Sequence, residues 1–274
     1  MVVSELIGTI SQRLAEVSPT SRLDARLIVS KAMGADADYL IIHGHDKISE
    51  ETVTAALDLT EQRLSHKPMA YILNKCEFMS LDFHIDENVL IPRPDTECVV
   101  EQVIKTARKG ARILDIGTGS GCIAVSLAKY IPDARVTAVD ISPAALSIAR
   151  ENARANSVTV DFAEKDILRE FPSGVFDIIV SNPPYIKAEE IQTLAPNVRD
   201  YEPYAALCGG DDGLAFYKRI IASAKEHLES DGILVFELGH DQYEEVCALA
   251  AQHGFTDATP IYDLAGIKRG VVLL

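Results

Sequence analysis

From about residue 97 onward, short β-rich runs alternate with helical ones, and no other feature restricts the possible folds so tightly. Residues 112–116, 135–140, 159–163, 176–181 and 233–237 read as strands, with helical stretches between most of them. Strands joined by crossover helices run parallel, and the helices cover the sheet faces, so the pattern predicts a doubly wound α/β sheet. Two further strands are predicted at 256–261 and 270–274. The short connection between them has no room for a crossover helix, so the final strand is expected to run antiparallel at or near an edge.

Residues 1–75 have a different period. Leu6, Ile7, Ile10, Leu14 and Val17 fall on one helical face, and Leu23, Leu27 and Ile28, then Val53, Leu57, Thr60 and Leu64, repeat the pattern. Ser21-x-x-Asp24 reads as a capping box, Gly34 as a helix stop, and Ser49-Glu50-Glu51 as a capped, acidic helix start. The predicted domains are therefore a helical unit at 1–75, a linker at 76–95 and an α/β domain at 96–274. The linker is expected to be a β-hairpin around Asp86-Glu87-Asn88, with Phe78, Leu81, Phe83 and Ile85 before the turn and Val89, Leu90 and Ile91 after it. The helical unit is either a bundle that only packs or a substrate-docking domain.

The first predicted strand of the α/β domain runs into Asp115-Ile116-Gly117-Thr118-Gly119-Ser120-Gly121. Ligands of open α/β sheets sit at such strand-to-helix turns, where glycines let the backbone approach a bound molecule. A nicotinamide dinucleotide fingerprint places its third glycine one residue later, where this chain has Cys122. Asp140 ends the second strand, where a carboxylate can accept from both ribose hydroxyls of a nucleoside or, alternatively, cap the following helix. Together these point to an adenosine-containing ligand that needs no pyrophosphate. Asp166 and Ile167, after the third strand, stand where an acid can accept from an adenine NH2 group and an apolar side chain can cover the ring; a solvated loop acid is the alternative for Asp166. Asp115 either shapes the turn or meets the ligand's ammonium group.

The fourth strand ends in Asn182-Pro183-Pro184-Tyr185. Each residue before a proline is pushed to an extended conformation, and neither proline has an N–H to give a ladder or a helix. The expected product is a stiff arch with free carbonyl groups at the mouth of the sheet. A planar NH2 group carries two donors, and Asn182 Oδ1 and the Pro183 carbonyl can accept one each. Two aimed acceptors hold that nitrogen in line with a methyl sulfonium and stabilise its partial positive charge at the transition state. Pro184 completes the arch, and Tyr185 can lay its ring against a flat acceptor group.

These residues resemble the signature of class I methyltransferases that act on amino or amide nitrogen. The likeness extends to Ile91-Pro92-Arg93-Pro94-Asp95-Thr96-Glu97, Tyr201-Glu202-Pro203, Gly209-Gly210-Asp211-Asp212-Gly213 and Asp263-Leu264-Ala265-Gly266-Ile267-Lys268-Arg269, and so covers almost the whole chain. Together they resemble the bacterial release-factor glutamine methyltransferases, the HemK family. The resemblance implies a Rossmann-like, seven-stranded, mostly parallel sheet with strand order 3-2-1-4-5-7-6, a helical N-terminal domain and a hairpin linker. It implies S-adenosylmethionine as cofactor, S-adenosylhomocysteine as product, and the glutamine of the Gly-Gly-Gln motif in class 1 peptide-chain release factors as substrate. It assigns Gly117, Thr118, Gly119, Ser120, Gly121, Asp140, Asp166, Ile167 and Asn182 to the cofactor, and Asn182, Pro183, Pro184 and Tyr185 to substrate and catalysis. Departures fall in the helical domain and linker: Asn74 stands where glycine is usual, Met79 replaces a common tryptophan, and Arg26 replaces a common glutamate.

The alternative is an adenine-N6 methyltransferase acting on nucleic acid, since adenine carries the same planar NH2 group. A net charge of −15, no tryptophan and 6% aromatic residues argue against the basic, stacking groove that base flipping demands. No run approaches the roughly 18 apolar residues of a membrane span, and residues 1–5 lack a basic signal-peptide region, so a cytoplasmic location is expected. His43 and His45 have no third ligand at a suitable spacing, and five scattered cysteines without a CxxC pair suggest reduced thiols, so neither a metal nor a disulfide framework is expected.

Overall fold

A computed structural model describes residues 1–274. They form two compact units, Met1–Lys75 with Ala195–Tyr201, and Cys76–Leu194 with Glu202–Leu274. The first unit contains α1 (Val3–Leu14), α2 (Ser21–Met33), α3 (Ala37–Ile42), α4 (Glu50–Leu64) and α5 (Met69–Leu73). Leu6, Ile10 and Leu14 recur every fourth residue, are fully buried, and share one core with Ile28, Val29 and Ala56. Ser49 caps α4 by accepting from the Thr52 N–H at 3.1 Å, and Gly34 closes α2 in the left-handed region.

The predicted cap of α2 is displaced by one residue. Thr20 is the N-cap, and Asp24 turns its carboxylate to the Thr20 hydroxyl at 3.1 Å and to Arg63 Nε of α4 at 2.8 Å. A guanidinium is a stronger partner for a buried carboxylate than a helix-end amide, so tertiary pairing overrides capping. Asn74 closes α5 at φ +56°. Asparagine tolerates this region nearly as well as glycine, so its substitution for glycine leaves the turn intact. Tyr201 belongs to this unit, and its hydroxyl donates to the Ser65 carbonyl at 2.7 Å.

After the helices, β1 (Lys75–Phe78) and β2 (Leu81–His84) form a two-stranded sheet. The hairpin turn is Met79-Ser80, not the predicted Asp86-Glu87-Asn88. Both turn residues take positive φ, +51° and +57°, as in the I′ turn whose twist matches that of paired strands. Met-Ser carries no Asn-Gly signal, so the polar triplet drew the prediction instead. Asp86 forms its own turn, its Oδ1 accepting from the Asn88 N–H at 2.8 Å.

The second unit is built on seven more strands: β3 (Arg112–Ile116), β4 (Arg135–Asp140), β5 (Asp161–Glu164), β6 (Phe176–Ser181), β7 (Leu228–Glu237), β8 (Ala258–Tyr262) and β9 (Lys268–Leu273). Their order is β5-β4-β3-β6-β7-β9-β8, which counted within the sheet is 3-2-1-4-5-7-6. Strands β3 to β7 pair in parallel, and β9 runs antiparallel to both neighbours, one place in from the edge strand β8. Helices α6 (Glu97–Thr106), α7 (Cys122–Tyr130) and α8 (Pro143–Ala155) precede two short ones, α9 (Pro196–Arg199) and α10 (Tyr204–Leu207). The last two are α11 (Ala215–His227) and α12 (Tyr243–Gln252). Tyr217, Ile220 and Ile221 of α11 and Val246 of α12 share a core with Leu114, Ile179, Leu234 and Phe236 of the sheet. Strands covered on both faces read as continuous apolar runs, as Ile178-Ile179-Val180 does. Among the described residues, no helix is long and apolar enough to cross a membrane.

Candidate active site

The sheet order turns back on itself at β3, which has β4 on one side and β6 on the other. The carboxyl ends of these strands therefore leave a crevice between the connections that depart in opposite directions. A cavity of about 540 Å³ fills it. Gly117, Gly119, Asp140, Asp166, Ile167 and Asn182 all line this cavity, as do Pro183 and Pro184.

The glycine turn is held from below. Thr118 and Ser120 are buried, and the Thr118 hydroxyl donates to Asp115 Oδ2 at 2.7 Å. Asp115 is wholly buried and its Oδ1 has no partner, so burial raises its pKa to about 7. It lies off the cavity wall and shapes the turn. Thr118, Ser120 and Gly121 likewise contribute nothing to the wall, Gly121 packing instead against Ala149 of α8. At Gly117 and Gly119 an added Cβ would meet no protein atom within 4 Å, although both residues border the cavity. That open space over bare backbone is what a closely approaching ligand needs.

Asp140 joins the turn to the second strand. Its Oδ2 accepts the Gly119 N–H at 2.9 Å and its Oδ1 accepts the Ser142 N–H at 2.9 Å. Burial raises its pKa, and these backbone donors oppose the rise. The cap of α8 is Ser142, which accepts from the Ala145 N–H at 3.2 Å. A carboxylate has about four lone-pair sites, so each Asp140 oxygen keeps one for a hydroxyl donor from the cavity. Asp166 is also committed locally, accepting from the Leu168 N–H at 3.0 Å and pairing with Arg169 at 3.1 Å. Ile167 is 7% exposed and apolar.

At the end of β6, Ser181 donates its hydroxyl to the Ile116 carbonyl at 2.7 Å, fixing the point where the chain enters the arch. Asn182 Nδ2 donates to Thr96 Oγ1 at 3.4 Å. Thr96 is 2% exposed. Among the described residues no donor reaches the Pro183 carbonyl or Asn182 Oδ1. The arch is clamped from outside. A Cβ on Gly209 would come within 2.7 Å of the Pro184 carbonyl, and one on Gly213 within 2.5 Å of the Tyr185 carbonyl. Gln242 Nε2 donates to that same Tyr185 carbonyl at 3.1 Å. Tyr185 is off the cavity wall, packed against the main core, and burial pushes its phenol up to about 12.

Several wall residues are given no role by the sequence reading. Asn88, Val89 and Leu90 border the cavity from the segment after the hairpin, and Pro203, Tyr204 and Ala206 border it around α10. Glu202, just before, has a fully buried side chain that pairs with Arg93 and accepts from the Ile91 N–H at 3.4 Å, holding these two walls together. Thr96, which accepts from Asn182 Nδ2, lies in the stretch 91–97 that carries the family likeness, but the sequence assigns it no role.

Residues 94–197 match the family pattern of the methyltransferase small domain, and residues 5–73 match the PrmC N-terminal domain. A release factor glutamine methyltransferase of Geobacter sulfurreducens is 42% identical over 251 residues, covering 92% of this chain and 88% of the relative. The enzyme of the same name from Clostridium acetobutylicum is 39% identical, covering 91% of this chain and 90% of the relative. Among solved structures, a methyltransferase from Pyrococcus furiosus aligns with TM-score 0.55 at 20% identity, over 79% of this chain and 97% of that one. That last likeness bears on the fold alone.

Proposed function

The chain belongs to the release factor glutamine methyltransferase family, and on that premise we propose that Asn182 and Pro183 hold the side-chain amide of a release-factor glutamine while its nitrogen is methylated. The cofactor is S-adenosylmethionine, which supplies an electrophilic methyl group on a sulfonium centre. Within the cavity, Gly117 and Gly119 offer bare backbone to it, Asp140 accepts from the ribose hydroxyls, Asp166 accepts from the adenine NH2, and Ile167 covers the ring. Thr118, Ser120, Gly121 and Asp115 support the turn from beneath.

The observation that carries the reading is the pair of free acceptors at one place, Asn182 Oδ1 and the Pro183 carbonyl. An amide nitrogen is a weak nucleophile because its lone pair is delocalised. Two acceptors that engage both of its hydrogens favour the pyramidal, partly positive nitrogen of the transition state over the planar ground state. No side chain needs to act as a general base. When bound, the cofactor would give up its methyl group from sulfur to this nitrogen and leave as the thioether S-adenosylhomocysteine, while the displaced proton passes to solvent water, so the product amide keeps one N–H.

We extend this to the glutamine of the Gly-Gly-Gln motif in class 1 release factors, and to a docking role for the helical unit. An isolated glutamine offers little binding area, so discrimination in favour of one protein requires contacts away from the reacting amide. The test is a competition. With labelled cofactor and both a release factor and an adenine-containing oligonucleotide present, label is expected on the protein; label on the oligonucleotide would assign the arch to adenine instead.

A further inference from the structure

We infer that Asn152 of α8 is a positioning residue: its side-chain amide fixes the glycine turn beneath the cofactor and ties to that turn the chain that forms a further wall of the cavity. The inference rests on S-adenosylmethionine lying over the glycine turn and is independent of which amide it methylates. Asn152 is 1% exposed, and an amide so placed must find its partners within the protein. Its Oδ1 accepts the His84 N–H at 2.7 Å, and its Nδ2 donates to the His84 carbonyl and to the Ser120 carbonyl, each at 2.9 Å. The oxygen and both amide hydrogens are thereby engaged, and the three contacts leave the amide a single orientation.

Each side of the amide holds a different part of the site. Toward His84, the last residue of β2, it pairs with both backbone groups, as a neighbouring strand would. Toward Ser120 it holds a carbonyl of the turn itself, next to Gly119, which borders the cavity. Ala149, a helical turn earlier, packs so closely on the turn that a Cβ on Gly121 would stand 3.0 Å from its own. The turn thus rests on one face of α8 at two neighbouring points. From His84 the chain continues through Ile85, which is fully buried, to Asn88, Val89 and Leu90 on the cavity wall. Glu202 holds the far end of this stretch, accepting from the Ile91 N–H at 3.4 Å. A stretch pinned at both ends keeps its distance from the turn, and Asn152 is the pin that the turn shares.

A turn fixed before the ligand arrives costs the ligand no ordering. Ser120 is 2% exposed, so without the Asn152 donor its carbonyl loses a partner that water cannot readily replace, and re-forming the turn draws on the binding energy of the cofactor. Aspartate has the shape of asparagine and keeps the acceptor for the His84 N–H, but sets an oxygen against both carbonyls. Serine keeps at most one of the two donations. Asn156, a turn further along α8, supplies the control. Its Nδ2 donates to the Asp82 carbonyl of β2 and to the Asn152 carbonyl, each at 3.0 Å, so it ties the helix to the hairpin and not to the glycine turn.

The experiment measures S-adenosylmethionine affinity by calorimetry for the wild type, N152D, N152S, N156D and D140A, well below the melting midpoint of each. N152D and N152S are expected to bind the cofactor roughly 5- to 100-fold more weakly, the scale for one buried acceptor left without its donor, and N156D to bind it as the wild type does. A role in stability alone would lower the melting midpoint of N152D and leave its affinity unchanged. Hydrogen exchange should be faster in N152D over residues 84–91 and unchanged over Arg112–Ile116. Unchanged affinity in N152D and N152S, an equal loss in N156D, or unchanged exchange over 84–91 would overturn the inference. D140A reports separately on where the cofactor lies: a loss there beside intact affinity in N152D counts against Asn152 alone, and no loss in either moves the cofactor off the turn. Should N152D not fold, N152S decides.

Discussion

Asp140 Oδ2 accepts the Gly119 N–H at 2.9 Å, and this contact ties the end of β4 to the glycine turn that follows β3. One carboxylate thus shapes the turn and faces the cavity. Replacing Asp140 by alanine removes charge-assisted hydrogen bonds worth roughly 1.5–3 kcal/mol each. Calorimetry should show S-adenosylmethionine affinity reduced by at least about tenfold, with kcat at saturating cofactor much less affected. Unchanged affinity would remove Asp140 from the ribose site.

Asp115 and Glu237 make stability depend on pH in an unusual direction. Burial raises both to about 7, above their unfolded values, so they favour the folded state most at acid pH and lose that contribution as pH rises through 7. Thermal melts between pH 5.5 and 8 should therefore fall in midpoint as pH increases. D115N keeps an acceptor for the Thr118 hydroxyl and sheds the buried charge, so its midpoint should fall less steeply. A wild-type midpoint that climbs across this window would contradict the buried, partnerless state of Asp115 Oδ1.

Within the helical unit, Asp24 and Arg63 form an ion pair in which both side chains are largely buried. Breaking a buried pair from one side leaves a charge without its partner, at a cost of roughly 3–5 kcal/mol. Arg63→Met should expose the amides of α2 and α4 to hydrogen exchange while those of β3 and β6 keep their protection. Loss of protection throughout the sheet as well would mean that the two units do not unfold separately.

How much of this was readable before the structure depends on which interactions set each element. Strands β3, β4 and β6 begin and end where predicted, because buried parallel strands are nearly unbroken apolar runs closed by polar residues. Strand β7 starts at Leu228 instead of 233 because Leu228 already pairs with Phe176; Glu229-Ser230-Asp231-Gly232 fall in the irregularity before pairing resumes at Ile233 and carry no strand-like pattern. The hairpin turn was misplaced because Met79 and Ser80 are forced to positive φ by the strands they join and not by their own preferences. In the site, Asn182 to Tyr185 stood out because two prolines restrict the backbone wherever they occur. Thr96 did not, since a single threonine acquires its role only when distant segments meet, here 96 and 182.

Ile41 and Ile42, at the end of α3, are 70% and 77% exposed, an unusual apolar pair for a surface. If the helical unit docks the protein substrate through apolar contacts, I41E with I42E should raise KM for a full-length release factor and leave activity on a short Gly-Gly-Gln peptide unchanged. Equal activity on both substrates would place docking on another face.

The central claim is that the Asn182 carbonyl acts on the transition state of glutamine methylation. Tandem mass spectrometry of a class 1 release factor, sampled over time with S-adenosylmethionine and either wild-type enzyme or Asn182→Ala, tests it most directly. We expect one methyl group on the side-chain nitrogen of the Gly-Gly-Gln glutamine, appearing roughly 10²- to 10³-fold more slowly with the variant, the scale for losing one aligned transition-state partner. A methyl group at any other residue, or the same rate from both enzymes, would contradict it.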